Sequence, residues 1–428
     1  MTDSGQNILF FVFRLYGGGA ERTVSNLSLA FGDQYNLKIA IYGDQENLYP
    51  YKGELIHIHL PFSKDPTTNS WWKRQIRLIM LVYRLRQIKR KNNIDIAVSF
   101  GEQPNIINML TRGKRKTILS VRSLLSREMA FYPKMKMLKY LIKSLYNHAE
   151  MVVVPSKLSA HDLTTNFAVA KNKIRVIHNF IDPDKMDKLK IDSLDANQDQ
   201  KIFQFPVLLN VGRITPAKGQ WLLLRVLKEL RGKNKDYKLV LIGESETEGV
   251  LKDELKELAR DLDLKVYDAS PEAVLNSDAD VYFLGFNANP FKYMKRSSIF
   301  LLSSVFEGFP NVILEAMQCG LPVIAADCIS GPREIMAPDS DLDKIIHDYE
   351  QTPYGILCPA LGMEPPKSPV SKEILSAWVN AIILLNNQPA LRESMVQNSY
   401  KRVHDFDRGI ILDEWREEVL KPHSDLQG

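Results

Sequence analysis

Short apolar runs closed by polar or glycine-rich positions recur along the first half of the chain. Ile8–Phe13, Leu37–Tyr42, Leu55–Leu60, Ile94–Ser99, Lys116–Val121, Met151–Pro155 and Ile174–His178 each read as a buried strand. Thr23–Phe31 has apolar positions at helical spacing, and strands alternating with helices predict βαβ units around a parallel sheet. A polar stretch over Asp184–Lys201 interrupts the series and predicts an interdomain linker, placed at 191–205. A second series follows. Strands are expected at Val207–Val211, Lys238–Gly243, Leu264–Val266, Val281–Leu284, Ile299–Ser304 and Leu321–Ala326. Helices are expected at Gln220–Leu230, Val250–Leu262, Asn311–Cys319, Lys372–Asn386, Pro389–Val403 and Arg408–Leu420. The proline-rich 359–371 reads as a surface loop. The pattern predicts an α/β protein with domains at 1–190 and 206–405 and a terminal helical segment at 406–428; 428 residues exceed one ordinary core.

Within the second series, Ser298–Ile335 concentrates the chemistry. A strand, the turn Phe306-Glu307-Gly308-Phe309-Pro310, a helix from Asn311 and a second strand follow one another without a break. Open α/β sheets bind ligands beyond the carboxyl ends of their strands, and a helix N-terminus there suits a phosphate. Glu307 and Glu315 repel phosphate, so they suit hydroxyl groups as hydrogen-bond acceptors. A diphosphate and a polyol together describe a sugar nucleotide. Arg213 and Lys218 lie in the loop after Val207–Val211 and before a helix, where both can reach one anionic group. Gly17-Gly18-Gly19 lies in the equivalent place in the first half and permits close approach of a ligand or backbone. It does not make the G-x-G-x-x-G dinucleotide fingerprint.

Charge divides the chain. Residues 1–190 carry 30 Lys and Arg against 15 Asp and Glu, and the remainder 26 against 36. The basic excess collects in Lys73–Lys91, with eight cations and no acid, and in Met135–Tyr146. In the latter Leu138, Leu141, Ile142 and Leu145 share one helical face and Lys136, Lys139 and Lys143 another. With Trp72, Phe131 and Tyr132 nearby, this suits an anionic membrane surface. No nucleic-acid-binding module accompanies the charge, so nucleic acid is not an expected partner. No apolar run reaches the roughly eighteen residues of a membrane span. The N-terminus MTDSGQNILFFVF lacks the marks of a signal peptide. Cys319, Cys328 and Cys358 lack metal-ligand spacing and read as buried reduced thiols, which predicts a cytoplasmic protein, peripheral on the inner face of the cell membrane. D-x-D triplets fall at 182/184, 261/263, 278/280, 339/341 and 341/343, none in a loop aimed at a diphosphate, so neither metal nor cofactor is expected.

VGRITPAKG and FEGFPNVILEAMQCGLPVIAAD resemble the family 4 glycosyltransferases, retaining enzymes of the GT-B fold. GGGAERTVSNLS and VVVPSKLSAHDL with IRVIHNFID match the same family, so the resemblance covers nearly the whole chain. It implies two Rossmann-like domains with parallel sheets facing across a cleft, and a terminal helix crossing back to the first domain. The second domain would hold a UDP-sugar and the first a glycan acceptor, expected to be polyprenyl-diphosphate-linked, in surface polysaccharide biosynthesis. Arg213 and Lys218 match the diphosphate-binding pair, Glu307 the glutamate on the donor sugar and Glu315 the one on the ribose. The Gly308, Phe309, Pro310 and Asn311 backbone would contact sugar and phosphate, and Gly18 and Gly19 would approach the donor phosphate. The chain departs from the family after Lys116–Val121. Many members carry a histidine there, whereas Ser120-Val121-Arg122-Ser123 offers an arginine, which cannot act as a base at neutral pH. Arg122 and Glu102 are the acceptor-side candidates. A sugar-nucleotide epimerase and a catalytically silent nucleotide-sugar-binding subunit stay open as alternatives.

Overall fold

The computed structural model describes residues 5–16, 18–43, 49–61, 71–131, 137–194, 199–233, 236–245, 249–269, 278–362 and 368–421. Gly17, Tyr132, Lys136 and part of the proline-rich loop lie outside the described residues. The chain divides into two compact units, one formed by residues 1–179 with 409–428 and the other by 180–408.

Unit 1 is built on seven parallel strands: β1 (Asn7–Val12), β2 (Asn36–Ile41), β3 (Glu54–His57), β4 (Ile96–Phe100), β5 (Lys116–Ser120), β6 (Met151–Val154) and β7 (Ile174–Val176). Their spatial order is β3-β2-β1-β4-β5-β6-β7. β4 and all but the first residue of β1 are buried, which explains why they read as mostly apolar runs and not as alternating ones. The order reverses between β1 and β4, so the loops after those two strands border the switch-point crevice. The helix Arg408–Glu414 starts in unit 2, and the chain continues in unit 1 as a widened turn, Trp415–Val419, in which Leu420 N–H bonds Trp415 O at 3.0 Å. Trp415 is buried and stacks on Phe100, with ring centroids 6.3 Å apart.

Unit 2 carries β8 (Val207–Val211), β9 (Lys238–Ile242), β10 (Val266–Asp268), β11 (Val281–Phe283), β12 (Ile299–Leu302), β13 (Val323–Ala326), β14 (Glu350–Thr352) and β15 (Gly355–Cys358). The order is β10-β11-β9-β8-β12-β13-β15-β14, parallel except for the β14–β15 pair. Here the switch point lies between β8 and β12. These strands pair at only Ile299↔Leu208 and Phe300↔Leu209 before separating. Asn210, buried, spans the opening by donating from Nδ2 to Leu301 O at 2.8 Å.

Two expectations change. The β14–β15 hairpin has no counterpart in the apolar pattern, because Glu350-Gln351-Thr352 is a polar edge strand and Pro353 stands between the two. The expected linker 191–205 falls inside unit 2, where Leu194 and Ile202 join its core beside Met186 of the helix Pro183–Leu189. Isolated apolar anchors in polar surroundings carry no periodicity. The three cysteines are free and buried, and burial raises each thiol above its ordinary range.

Candidate functional site

In unit 2 the loop 212–219 leaves the carboxyl end of β8 and enters the helix Gln220–Gly232. Gly219 is left-handed at φ 62°, and a Cβ placed there would lie 2.2 Å from Ser303 O. Glycine therefore lets this loop press directly on the strand end of β12. Two bonds fix the contact: Ser303 Oγ donates to Lys218 O at 2.9 Å, and Val305 N–H to Ala217 O at 2.8 Å. From this platform Lys218 Nζ reaches Glu307 Oε1 at 2.6 Å, and Ser304 Oγ donates to the same oxygen at 2.6 Å. Glu307 is 9% exposed, so its charge is held by a cation and a hydroxyl in place of water. The motifs assign Lys218 and Glu307 to different parts of a ligand; the fold joins them in one ion pair.

Arg213 is half-buried on the same loop, its carbonyl accepting from Gln220 Nε2 at 2.9 Å. Gly308, Phe309 and Pro310 are buried, and Asn311 opens the helix Asn311–Gln318 at the carboxyl end of β12. Glu315 lies one turn into that helix and is 4% exposed. Arg213, Lys218, Glu307 and the helix N-terminus are thus placed around one switch point. Ser304 is a partner that sequence reading misses. Its only signal is the serine pair ending the strand, which the apolar pattern presents as a stop.

In unit 1 Gly18 caps the helix Gly19–Phe31 in extended backbone, and Gly19 has open space where a Cβ would go. Thr23, one turn on, donates from Oγ1 to Gly19 O at 3.0 Å. Arg122, half-buried beyond β5, bonds Thr23 Oγ1 at 3.2 Å, Ser120 Oγ at 3.4 Å and Asn179 Oδ1. The fold therefore gathers Gly19 and Thr23, Arg122, and Asn179 from three separate stretches. Burial lowers the Arg122 guanidinium to about 10, which still leaves it charged at neutral pH. Thr23 and Asn179 lie inside the stretches that resemble the family, but nothing in their type marks them as arginine partners.

Glu102 opens the helix Glu102–Leu110 behind Gly101, at the carboxyl end of β4. Its Oε1 is buried without a hydrogen-bond partner among the described residues. Burial and then the charge of Glu128 push the Glu102 carboxyl up to about 8. Glu128 accepts from Ser123 Oγ. An unfolded carboxyl ionises near 4.5, so between 4.5 and about 8 the folded state holds a proton that the unfolded state releases. Stability contributed by this group falls as pH rises through that window. Glu102→Gln is expected to raise Tm more at pH 9 than at pH 5; equal shifts at both would show that Glu102 ionises normally.

The basic helix Trp71–Lys91 bears an exposed stripe: Trp72 is 50% exposed, Ile76 38%, Ile79 67% and Tyr83 60%. The spacing of four, three and four residues puts them on one face. Lys89 is the exception among its cations. It is 1% exposed and donates to Asn108 O, Asn108 Oδ1 and Thr111 Oγ1 at 3.2, 2.5 and 2.8 Å, and burial lowers it to about 7. The second basic segment is helical over Leu138–Leu145, and its apolar face is split. Ile142 is core, whereas Leu141 is 43% exposed. Among the described residues no helix is long and apolar enough to cross a membrane.

Two α/β units with mostly parallel sheets, the second with cations and glutamates at a strand-order reversal, define a doubly wound, two-domain protein. Residues 17–185 match the family described as Glycosyltransferase Family 4 and residues 194–345 that described as Glycosyl transferases group 1. An uncharacterized glycosyltransferase of Methanocaldococcus jannaschii is 30% identical, over 79% of this chain and 82% of its own. Also 30% identical, over 78% of this chain and 84% of its own, is the N-acetylgalactosamine-N,N'-diacetylbacillosaminyl-diphospho-undecaprenol 4-alpha-N-acetylgalactosaminyltransferase of Campylobacter jejuni. Anabaena HepE, solved with UDP and glucose, superposes with a TM-score of 0.71 at 18% identity, covering 97% of this chain and 99% of that one. The chain belongs to the family 4 glycosyltransferases, and its fold is GT-B.

Proposed function

We propose that this glycosyltransferase moves a hexose or N-acetylhexosamine, with retention, from a UDP-sugar to a polyprenyl-diphosphate-linked glycan in surface polysaccharide biosynthesis. The observation that carries the reading is the Lys218–Glu307 pair, with Ser304, set where β8 and β12 part. Such a pair offers a cation to the departing diphosphate and a carboxylate to sugar hydroxyls from one rigid platform. Arg213 adds the second cation, so two side chains meet the charge that develops on the leaving group. The backbone of Gly308, Phe309, Pro310 and Asn311 faces phosphate or sugar, with N–H groups at all but Pro310, and Glu315 takes the ribose hydroxyls. Gly18 and Gly19 of unit 1 approach the donor phosphate, and Glu102 and Arg122 serve the acceptor.

Arg122 gives no base. The leaving phosphate itself takes the acceptor's proton as the new glycosidic bond forms on the face from which it departs. The Campylobacter relative is named for an undecaprenol-diphosphate substrate, which supports the acceptor class. HepE was solved with UDP and glucose, which supports the nucleotide. Trp72, Ile76, Ile79 and Tyr83, flanked by cations, support docking on the anionic inner face of the cell membrane.

One two-armed experiment tests this. Purified enzyme is screened against nucleotide sugars by thermal shift, and the stabilising donor is then supplied with a polyprenyl-diphosphate glycan in anionic or neutral vesicles. A UDP-sugar should raise Tm, and anionic vesicles should raise turnover. Stabilisation by no nucleotide sugar overturns the donor reading, and equal turnover on both vesicles overturns the membrane reading.

A further inference from the structure

The segment from Asp327 to Met336 packs directly behind the turn that bears Glu307. Phe306 and Ile329 form a parallel bridge, so the two stretches run side by side. Ser330 is fully buried and adopts φ 76°, a left-handed conformation that disfavours any side chain. Its Oγ donates to Gly308 O at 2.9 Å. Gly331 follows at φ 94°, and a Cβ there would lie 2.3 Å from Pro310 Cδ. Asp327, three residues before Ser330, is held by Arg333, itself 2% exposed. Arg333 Nε donates to Asp327 Oδ1 at 3.0 Å, Nη2 to Glu350 Oε2 at 2.9 Å and Nη1 to Ser340 Oγ at 3.1 Å. Asp327 directly follows β13 and Glu350 begins β14, so Arg333 bridges the two.

Glycine would adopt this conformation at less cost than serine but has no hydroxyl. The strained residue is thus held where its hydroxyl fixes one carbonyl of the turn. In a planar trans peptide, fixing the Gly308 carbonyl fixes the Phe309 N–H to point the opposite way. We propose that Ser330 is a positioning residue for the donor. It orients the 308–309 peptide so that the Phe309 N–H is presented to an oxygen of a nucleoside-diphosphate sugar, while Arg333 ties Asp327, at the start of the segment that carries Ser330, to β14. This rests on the reading that Glu307–Asn311 contacts the donor.

Ser330→Ala and Ser330→Gly separate positioning from stability. Both remove the hydroxyl, but alanine keeps the strain and glycine relieves it. Steady-state transfer by each is expected to show kcat/KM for the donor reduced about tenfold, with acceptor KM unchanged, about 1.4 kcal/mol. The Tm of the two should differ, alanine lying below glycine. Wild-type donor kcat/KM in both variants overturns the inference. So does an activity loss that follows Tm, with alanine impaired and glycine normal. Lys218→Ala, run alongside, separates this inference from the reading beneath it. If that variant keeps near-normal donor kcat/KM, the donor reading itself fails; if it loses donor kcat/KM while the Ser330 variants do not, only the role of Ser330 fails.

Discussion

Lys218→Ala should lower sugar transfer at least a hundredfold, a loss of about 3 kcal/mol of transition-state stabilisation. The same magnitude is expected for Glu307→Ala. Their 2.6 Å contact complicates the single substitutions, because removing Lys218 takes the cation away from a nearly buried Glu307 and leaves the Ser304 hydroxyl bonded to it. The double variant resolves this. If Lys218 served only to neutralise Glu307, then Lys218→Ala with Glu307→Ala would be no slower than Glu307→Ala alone. If each side chain contacts the donor, the double variant falls below Glu307→Ala alone. The decisive measurement is kcat/KM with the donor found by the thermal-shift screen. Near-normal turnover by either single variant would remove the assignment of that residue.

Gly219→Ala should cost unit 2 about 3 kcal/mol or more, through two causes acting together. Alanine at φ 62° loses about 1–2 kcal/mol to left-handed backbone strain. Its Cβ would also stand 2.2 Å from Ser303 O, a backbone atom that cannot swing aside. The expected drop in Tm is roughly 6–12 °C for a unit of this size. Gly232→Ala is the contrasting control. Gly232 ends the same helix, and a Cβ added there would meet nothing within 4 Å, so the change should be neutral or slightly stabilising. Equal Tm for the two variants would mean that the Gly219 loop relaxes, and with it the platform that carries Lys218.

Most of the sheet is legible in the chain. The strand Val207–Val211 and the helix Pro389–Val403 have the expected bounds, and other strands differ mainly at their ends. Buried parallel strands must be apolar throughout, so their runs stand out against polar loops. The hairpin β14–β15 and the anchors Leu194 and Ile202 are not legible, because a polar edge strand and single apolar residues have no period to detect. Among candidate residues, Arg213, Lys218, Glu307 and Glu315 can be named from strand–loop–helix order and side-chain chemistry. Glu102 can be named too, but not its neighbour Glu128, since charge coupling depends on how two helices pack.

The sequence by itself determined which residues are apolar, where loops must turn and which cations and carboxylates leave the strand ends. Those are local properties, set by side-chain type and spacing. Only the tertiary structure decided that Glu307 is bonded by Lys218 and Ser304, that Arg122 is held by Thr23 and Asn179, and that Ser330 braces Gly308. The Lys218–Glu307 contact joins the loops after β8 and β12, where the strand order changes, and the Arg122 and Ser330 contacts join segments that leave different strands. Strand order is a product of packing two helix layers on a sheet, and no short stretch of sequence encodes it.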